Sequence, residues 1–301
     1  KHGVLSMKTS IFDTLQQLHL TSIETRKLFN SRTRDVDDLK VWKDEVSGVI
    51  YIDDFYTGEQ TYVDGTYRDE EESEIAQAEK PNYERTMDAQ RRLESNLKFV
   101  AGRRLVDFGC GSGDFLRLVK NDCSEVCGVE LQQNYVDALN ADDIRCENNL
   151  DAIQSDSIDV CVSFHVIEHL PNPLETLKLL KEKIVSGGML IIEVPHANDL
   201  LLSTLKNDAF KQFTLWSQHL VLHTRESLNR MLSYVGFDDI RIEGVQRYPL
   251  SNHLNWLANG KAGGHKSPLS LIDSPTLTNA YSDSLARMDV TDTLVAIAKV
   301  Y

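Results

Sequence analysis

No run of apolar residues in this 301-residue chain reaches the 18 or more that would span a bilayer. The first thirty residues carry no apolar stretch of the kind a secretion signal uses. Both absences set the expectation of a cytoplasmic protein. Cysteine is scarce and odd in number, five in all, at positions 110, 123, 127, 146 and 161. An odd set lying in or beside apolar segments reads as reduced thiols and excludes a disulfide framework. Cys123 and Cys127 have no second cysteine pair or suitable histidine near them, so they give no zinc site. Positive charge is also in deficit. The 32 Lys plus Arg face 46 Asp plus Glu, a net charge of −14. Phosphate backbones require clustered Lys and Arg, so the balance argues against a nucleic-acid partner. There is no internal repeat and no low-complexity tract. What is present is 41% apolar and 26% charged residues, the composition of a folded chain with a full core.

The pattern divides the chain into four parts. Residues 1–80 read as a helical and β-structured lid region, with a helix over 9–30, a strand over 47–52 and an acidic tyrosine-bearing stretch. Residues 81–247 read as the core. Residues 248–288 read as an insertion, and 289–301 as a last core strand. Within the core, the runs LVDFG (105–109), EVCGVEL (125–131), DIRC (143–146), SIDVCVSF (157–164) and MLIIEV (189–194) are apolar strands. They alternate with helical segments such as PLETLKLLKEKI (173–184). Such alternation predicts a doubly wound, mostly parallel α/β sheet covered on both faces. DIRIEGVQRY (239–248) and TLVAIAKV (293–300) show no clear helical periodicity between them. They are expected to pair antiparallel at the sheet edge.

The chemistry is concentrated after the first core strand, in Val106-Asp107-Phe108-Gly109-Cys110-Gly111-Ser112-Gly113-Asp114. Glycines at a strand-to-helix turn let backbone approach a ligand at the carboxyl end of a sheet. The dinucleotide fingerprint G-x-G-x-x-G would need glycine at 114, where this chain has aspartate. Asp107 before the glycines would repel a pyrophosphate and suits a cationic ligand. Both details count against a nicotinamide-dependent reductase. S-adenosylmethionine carries a sulfonium and an amino group and no phosphate. Glu130, at the end of the second strand, is placed to accept from ribose hydroxyls.

The motifs VDFGCGSGDFL, GVEL, SFHVIEHLPNP and GGMLIIEVP, in this order over roughly residues 80–247, resemble those of class I S-adenosylmethionine-dependent methyltransferases. The resemblance extends to small-molecule members from sugar and surface-polysaccharide gene clusters. It implies a seven-stranded Rossmann-like sheet ending in an antiparallel hairpin. It implies that Asp107, Gly109, Cys110 and Gly111 hold the methionine part of the cofactor and Glu130 the ribose. Leu131, Asn149 and Leu150 would surround the adenine, and Phe164 and His165 would line the sulfonium. S-adenosylhomocysteine would be the product.

His165-Val166-Ile167-Glu168-His169 matches the inverted zinc-peptidase pattern H-x-x-E-H. It follows a buried strand and precedes Pro171 and Pro173, so it is read as a strand-to-helix loop with no metal. Transfer to a hydroxyl needs a proton acceptor, and histidine is the usual one near neutral pH. The candidates are His165, His169, His219 and His223 with Glu168 behind them, and His219 leads. Thr224 is expected to cap the helix that follows.

Lid residues Tyr56 and Tyr62, and insertion residues Asn252, His253, Lys261 and His265, are the expected acceptor contacts. The insertion resembles the N-G-K-x-G-G-H segment of polysaccharide-cluster enzymes, which points to a nucleotide-activated or glycan-linked sugar. The run Lys43-Asp-Glu-Val-Ser47-Gly48 stands where some sugar-modifying relatives carry a zinc-binding C-x-x-C-G, without its cysteines. A C-methyltransferase, a quinone or phenol O-methyltransferase, and a non-catalytic sensor or partner subunit that only binds the cofactor remain alternatives. A homodimer is also compatible with the sequence.

Overall fold

The computed structural model describes residues 10–53, 55 and 83–301. Its main sheet has seven strands. In chain order they are β4 (Arg104–Phe108), β5 (Glu125–Val129), β6 (Arg145–Glu147), β7 (Ile158–Phe164), β8 (Ile184–Pro195), β10 (Asp238–Val245) and β11 (Thr293–Lys299). Their spatial order is β10-β11-β8-β7-β4-β5-β6. The pairs from β6 to β8 are parallel, and β11 runs antiparallel to both β8 and β10. The doubly wound sheet with an antiparallel edge is the one the sequence predicts.

Period-two alternation assigns side chains to the two faces of this sheet. Val106, Cys161, Leu190, Ile192 and Ala296 point to one face, against helices α5 (Pro173–Lys183) and α7 (Arg225–Val235). Leu105, Val160, Val162, Met189 and Ile191 point to the other, against α2 (Tyr83–Val100), α3 (Asp114–Val119) and α4 (Gln133–Ala141). Helix α7 has firm ends. Thr224 accepts from Ser227 N–H at its start, and Gly236 closes it at φ +89°.

The N-terminal part differs from its sequence reading. Only Ile11–Gln17 (α1) is helical, capped by Ser10. Residues Arg26–Asn30 form strand β1 instead, paired with β2 (Val41–Asp44). The apolar spacing that suggested one long helix ends at Leu18; Leu28 is exposed. With β3 (Ile50–Ile52) and the short β9 (Val221–Leu222), these strands form a second, antiparallel sheet of order β1-β2-β3-β9. At the turn after β2, Asp44 accepts from the N–H groups of Val46 and Ser47, both at 2.9 Å. A carboxylate thus organises the turn where the resemblance would have placed cysteines.

Residues 248–288 are more ordered than expected. They hold α8 (Leu250–Asn259), two short 3-10 turns and α9 (Pro275–Met288). The absence of clear periodicity reflects shallow burial, since Leu285 is the one buried residue of α9. Helix α6 (Asp208–Thr214) completes the described α-helices.

Candidate active site

The carboxyl ends of β4, β5, β7 and β8 open on one side of the sheet, and a cavity of about 830 Å³ lies there. This is the crevice that open α/β sheets reserve for ligands. Its floor is the glycine turn after β4. Gly109 stands at φ +77°, and a Cβ on it would sit 2.3 Å from Val166 Cγ2. Gly113, at φ +73°, is equally close to Leu139. Neither position admits a side chain without moving its neighbour, so the turn lies close beneath the cavity.

Two carboxylates flank this turn. Asp107 is 3% exposed and lines the cavity. Burial pushes its carboxyl up to about 7; the Arg92 charge opposes this and the Glu130 charge adds to it. A buried acid held near its midpoint is poised to ionise against an incoming cation. Glu130 is tied to backbone. One oxygen accepts from Gly111 N–H at 2.8 Å and the other from Gln132 N–H at 3.0 Å. That fixes its carboxylate at the cavity wall, with lone pairs left over for ribose hydroxyls. Beyond Glu130 the wall continues through Leu131, Asn149 and Leu150. Asn149 caps a 3-10 turn with its side-chain oxygen. Cys110 and Phe164 also line the cavity. All five cysteines are free thiols.

His165 sits at the mouth, at φ +55°. Its Nδ1 donates to Glu168 Oε1 at 3.1 Å, and its Nε2 lies 3.2 Å from Glu193 Oε1. Burial and the Arg247 charge press its pKa down, but the two carboxylates outweigh them and the net shift is upward. Two carboxylates and the Arg247 guanidinium, 3.2 Å from Nε2, thus occupy both ring nitrogens. Glu168 is fully buried behind the cavity wall. Burial raises its carboxyl, but the hydrogen bond from His165 and the neighbouring imidazoles bring it down to about 2.

His169 and His219 face the cavity at its far end, with ring centroids 5.0 Å apart. Burial pushes His219 down to about 3, helped by the His169 charge. It is a neutral imidazole at physiological pH and a weak base. Asn252 and His253 of α8 also line the cavity.

Several expected contacts lie elsewhere. His223 is buried, bonds Ser227 Oγ through Nδ1 at 3.0 Å and does not line the cavity. Its place beside the helix cap makes it structural. Lys261 is exposed just past α8 and outside the cavity lining. Its carbonyl receives the Asn255 amide at 2.8 Å. His265 turns to Glu84, its Nε2 3.4 Å from the carboxylate, with Lys266 at 2.9 Å beside it. His265 and Lys266 of the Gly-rich segment thus face an acid. Tyr56 and Tyr62 lie outside the described residues.

The structure also brings in residues the sequence did not single out. Helix α2 turns Arg85, Asp88 and Arg92 to the cavity, a spacing of three and four that marks one helical face. Arg247 and Asp292 enter from the ends of the edge hairpin, and Arg247 pairs with Asp88. Trp216, Phe210 and Phe213 supply an aromatic wall. The N-terminal sheet region reaches this wall too. Arg34 lies 4.5 Å over the Trp216 ring, and Asp35 accepts from Ser217 N–H at 3.0 Å.

Comparison with known proteins accords with this geometry. A family profile described as "Methyltransferase domain" matches residues 83–242. Among curated proteins, the tRNA U34 carboxymethyltransferase of Vibrio atlanticus (strain LGP32) is 24% identical over 193 residues, 59% of this chain and 58% of that protein. The protein of the same name from Edwardsiella ictaluri (strain 93-146) is 28% identical over 174 residues, 53% of this chain and 52% of that one. The chain therefore spans little more than half the length of these relatives. Among solved structures, an S-adenosylmethionine-dependent methyltransferase from Archaeoglobus fulgidus superposes with a TM-score of 0.51 at 22% identity, covering 71% of this chain and 94% of that one. A putative methyltransferase in complex with the Haloferax volcanii Trm112 activator gives a TM-score of 0.52 at 14% identity, covering 82% and 99%. These two share the fold.

Proposed function

The chain belongs to the methyltransferase-domain family of S-adenosylmethionine-dependent enzymes, and from that premise we propose that it methylates a hydroxyl of a small polar acceptor, a sugar or sugar conjugate. The observation that carries this reading is the continuity of one cavity. It runs from Asp107 and Glu130 to His169, His219, Asn252 and His253. At about 830 Å³ it lies at the upper end of the range for small-molecule sites, enough for a cofactor and a small acceptor together. Its far end combines aromatic faces with Asn252, His253 and Asp199, a mixture suited to a polar ring.

S-adenosylmethionine, when bound, supplies a methyl group made electrophilic by its sulfonium. The chain's own work is alignment and exclusion of water. Asp107 ionises against the cofactor's ammonium group, and Glu130 accepts from the ribose. Leu131, Asn149 and Leu150 enclose the adenine. His169 and His219 orient the acceptor hydroxyl toward the methyl. The helices of residues 248–288 cover the acceptor. Among the described residues no helix is long and apolar enough to cross a membrane.

One consequence is a pH dependence of cofactor affinity. The ionised fraction of Asp107 rises from about a tenth at pH 6 to about three quarters at pH 7.5 if its pKa is about 7. Affinity for S-adenosylmethionine is expected to tighten close to tenfold over that interval, read by calorimetry at constant ionic strength. A flat profile would remove Asp107 from the cofactor site.

The names of the curated relatives carry a second reading, carboxymethyl transfer to a tRNA uridine. The net charge of −14 weighs against a polyanionic acceptor. A panel of sugar nucleotides, free sugars, phenols and tRNA, scored by release of S-adenosylhomocysteine, decides between them. Turnover with a sugar-bearing acceptor and none with tRNA is expected. Turnover with tRNA alone would overturn the sugar reading. Cofactor binding with no turnover on any acceptor would favour a sensor.

A further inference from the structure

One cluster at the acceptor end has chemistry beyond orienting a hydroxyl. Glu168, His169 and His219 each bring one ligand atom to within 4.8 Å of the others. We propose that these three residues hold a divalent first-row transition-metal ion, whose open positions take the acceptor oxygen. The proposal deepens the methyltransferase reading and rests on it for the identity of the acceptor.

Two orphaned atoms carry the argument. Glu168 Oε2 and His219 Nδ1 are both buried and have no hydrogen-bond partner. A buried polar atom left unsatisfied costs about 1–3 kcal/mol, and such atoms call for an explanation. Here the two belong to one cluster, and a single cation would satisfy both. The third donor is prepared in the same way. His169 Nδ1 donates to the Gln218 carbonyl at 2.8 Å. That bond fixes the tautomer in which Nε2 carries the lone pair, the arrangement typical of metal-bound histidine. Nε2 then lies 3.9 Å from Glu168 Oε1.

The backbone ties the donors together. Leu220 N–H bonds the Glu168 carbonyl at 2.8 Å. This bond and the one from His169 to Gln218 O lie on either side of His219. The loop after α6 is thus registered against the 3-10 turn Ile167–His169. Behind the cluster, His165 donates to Glu168 Oε1 and orients the carboxylate. Metal–ligand bonds of about 2.0–2.2 Å put neighbouring donors about 3–3.5 Å apart, so the site needs to close by about an ångström.

The donor set names the class of ion. Magnesium and calcium prefer sites built wholly from oxygen. Two imidazoles and one carboxylate with open positions suit zinc, manganese, iron or cobalt. His169 and His219 line the cavity whereas Glu168 lies behind them, so the open positions face the acceptor space. An acceptor hydroxyl bound there loses its proton to water more readily. Its oxygen pair then forms the new C–O bond, and the pair of the broken S–CH₃ bond stays on sulfur. The sequence reading set the H-x-x-E-H pattern aside because it follows a buried strand and precedes Pro171 and Pro173. In the folded chain His219, fifty residues on, completes a different set.

The test is a titration of the chelator-treated full chain with Co²⁺ alone, followed by visible absorption, and with Zn²⁺ in competition. One ion per chain with a micromolar or tighter Kd is expected, displaced by Zn²⁺. His219→Ala should weaken Co²⁺ binding at least 30-fold. Glu168→Gln should do the same, but the buried position puts its folding at risk, so the cavity-facing His219 variant is decisive. Binding of S-adenosylhomocysteine, measured alongside by calorimetry, should change less than twofold in His219→Ala. Co²⁺ binding weaker than about millimolar, or a His219→Ala chain that titrates like wild type, would overturn the proposal. If wild type bound Co²⁺ at the cluster but not S-adenosylhomocysteine, the metal site would stand and the methyltransferase reading would fail.

Discussion

Replacing Asp107 with asparagine will weaken S-adenosylmethionine binding about a hundredfold and leave the fold intact. The reason is the environment of this carboxyl. It is 3% exposed, lines the cavity and is pushed up to about 7 by burial. In the proposed site the cofactor's ammonium group would form a charge-assisted hydrogen bond with the ionised acid that asparagine cannot supply. A hundredfold loss corresponds to about 2.8 kcal/mol, within reach of one desolvated charge contact. Stability should move the other way. An acid whose folded pKa lies above its unfolded value binds its proton more tightly when folded. The free protein therefore loses stability as pH rises from about 4 to about 7, and the loss persists above. Asparagine has no such titration, so at pH 8 the variant should melt at or above the wild-type temperature. Calorimetric titration and a thermal melt on one preparation check both halves. An Asp107→Asn chain that binds like wild type would refute the assignment.

Glu193→Ala is expected to lower the melting temperature by roughly 10 °C. Glu193, on β8, is 1% exposed. Arg91 and Arg92 reach its Oε1 at 2.9 and 2.7 Å, and His165 Nε2 at 3.2 Å. Burial raises its carboxyl, but the Arg92 charge and the His165 and Arg91 contacts hold it well below the usual range. Removing the acid leaves cations in a desolvated site, a change that costs about 3–5 kcal/mol. In a chain of this size each kcal/mol moves the midpoint by about 2–4 °C. The pH signature follows from the depressed pKa. The stabilisation is fully present above about pH 4.3, the unfolded glutamate value. It is lost as pH falls through the folded pKa, so the gap between wild type and variant should narrow in acid. A shift below about 2 °C at neutral pH would mean that the arginines find other partners. The same change removes one of the two carboxylates around His165 and leaves its bond to Glu168 in place.

The two sites differ in how far they could be read from sequence. Asp107 and Glu130 were legible because each sits at a fixed offset from an apolar strand, and strand ends place side chains by local geometry. The Glu193 cluster was not. It joins β8 to helix α2, about a hundred residues earlier, and no local pattern reports that contact. The same contrast holds for the fold. Strands β4 to β8 are short apolar runs between amphipathic helices, and they were found. Residues Arg26–Asn30 form a strand only by pairing with Val41–Asp44, and Leu28 on them is exposed; their polar sequence carries no strand signal of its own. Helix α9 was missed because it buries little, and helical periodicity is a record of burial. His219 was selected for its position after β8. Its partners, Glu168 and His169, come from the turn after β7, and folding alone brings them to it.

The most direct test of the account is a calorimetric titration of the wild-type chain with S-adenosylhomocysteine, with NAD as the control ligand. The account predicts one site per chain with a micromolar Kd, and no heat with NAD. Binding of NAD, or of neither ligand, would contradict it.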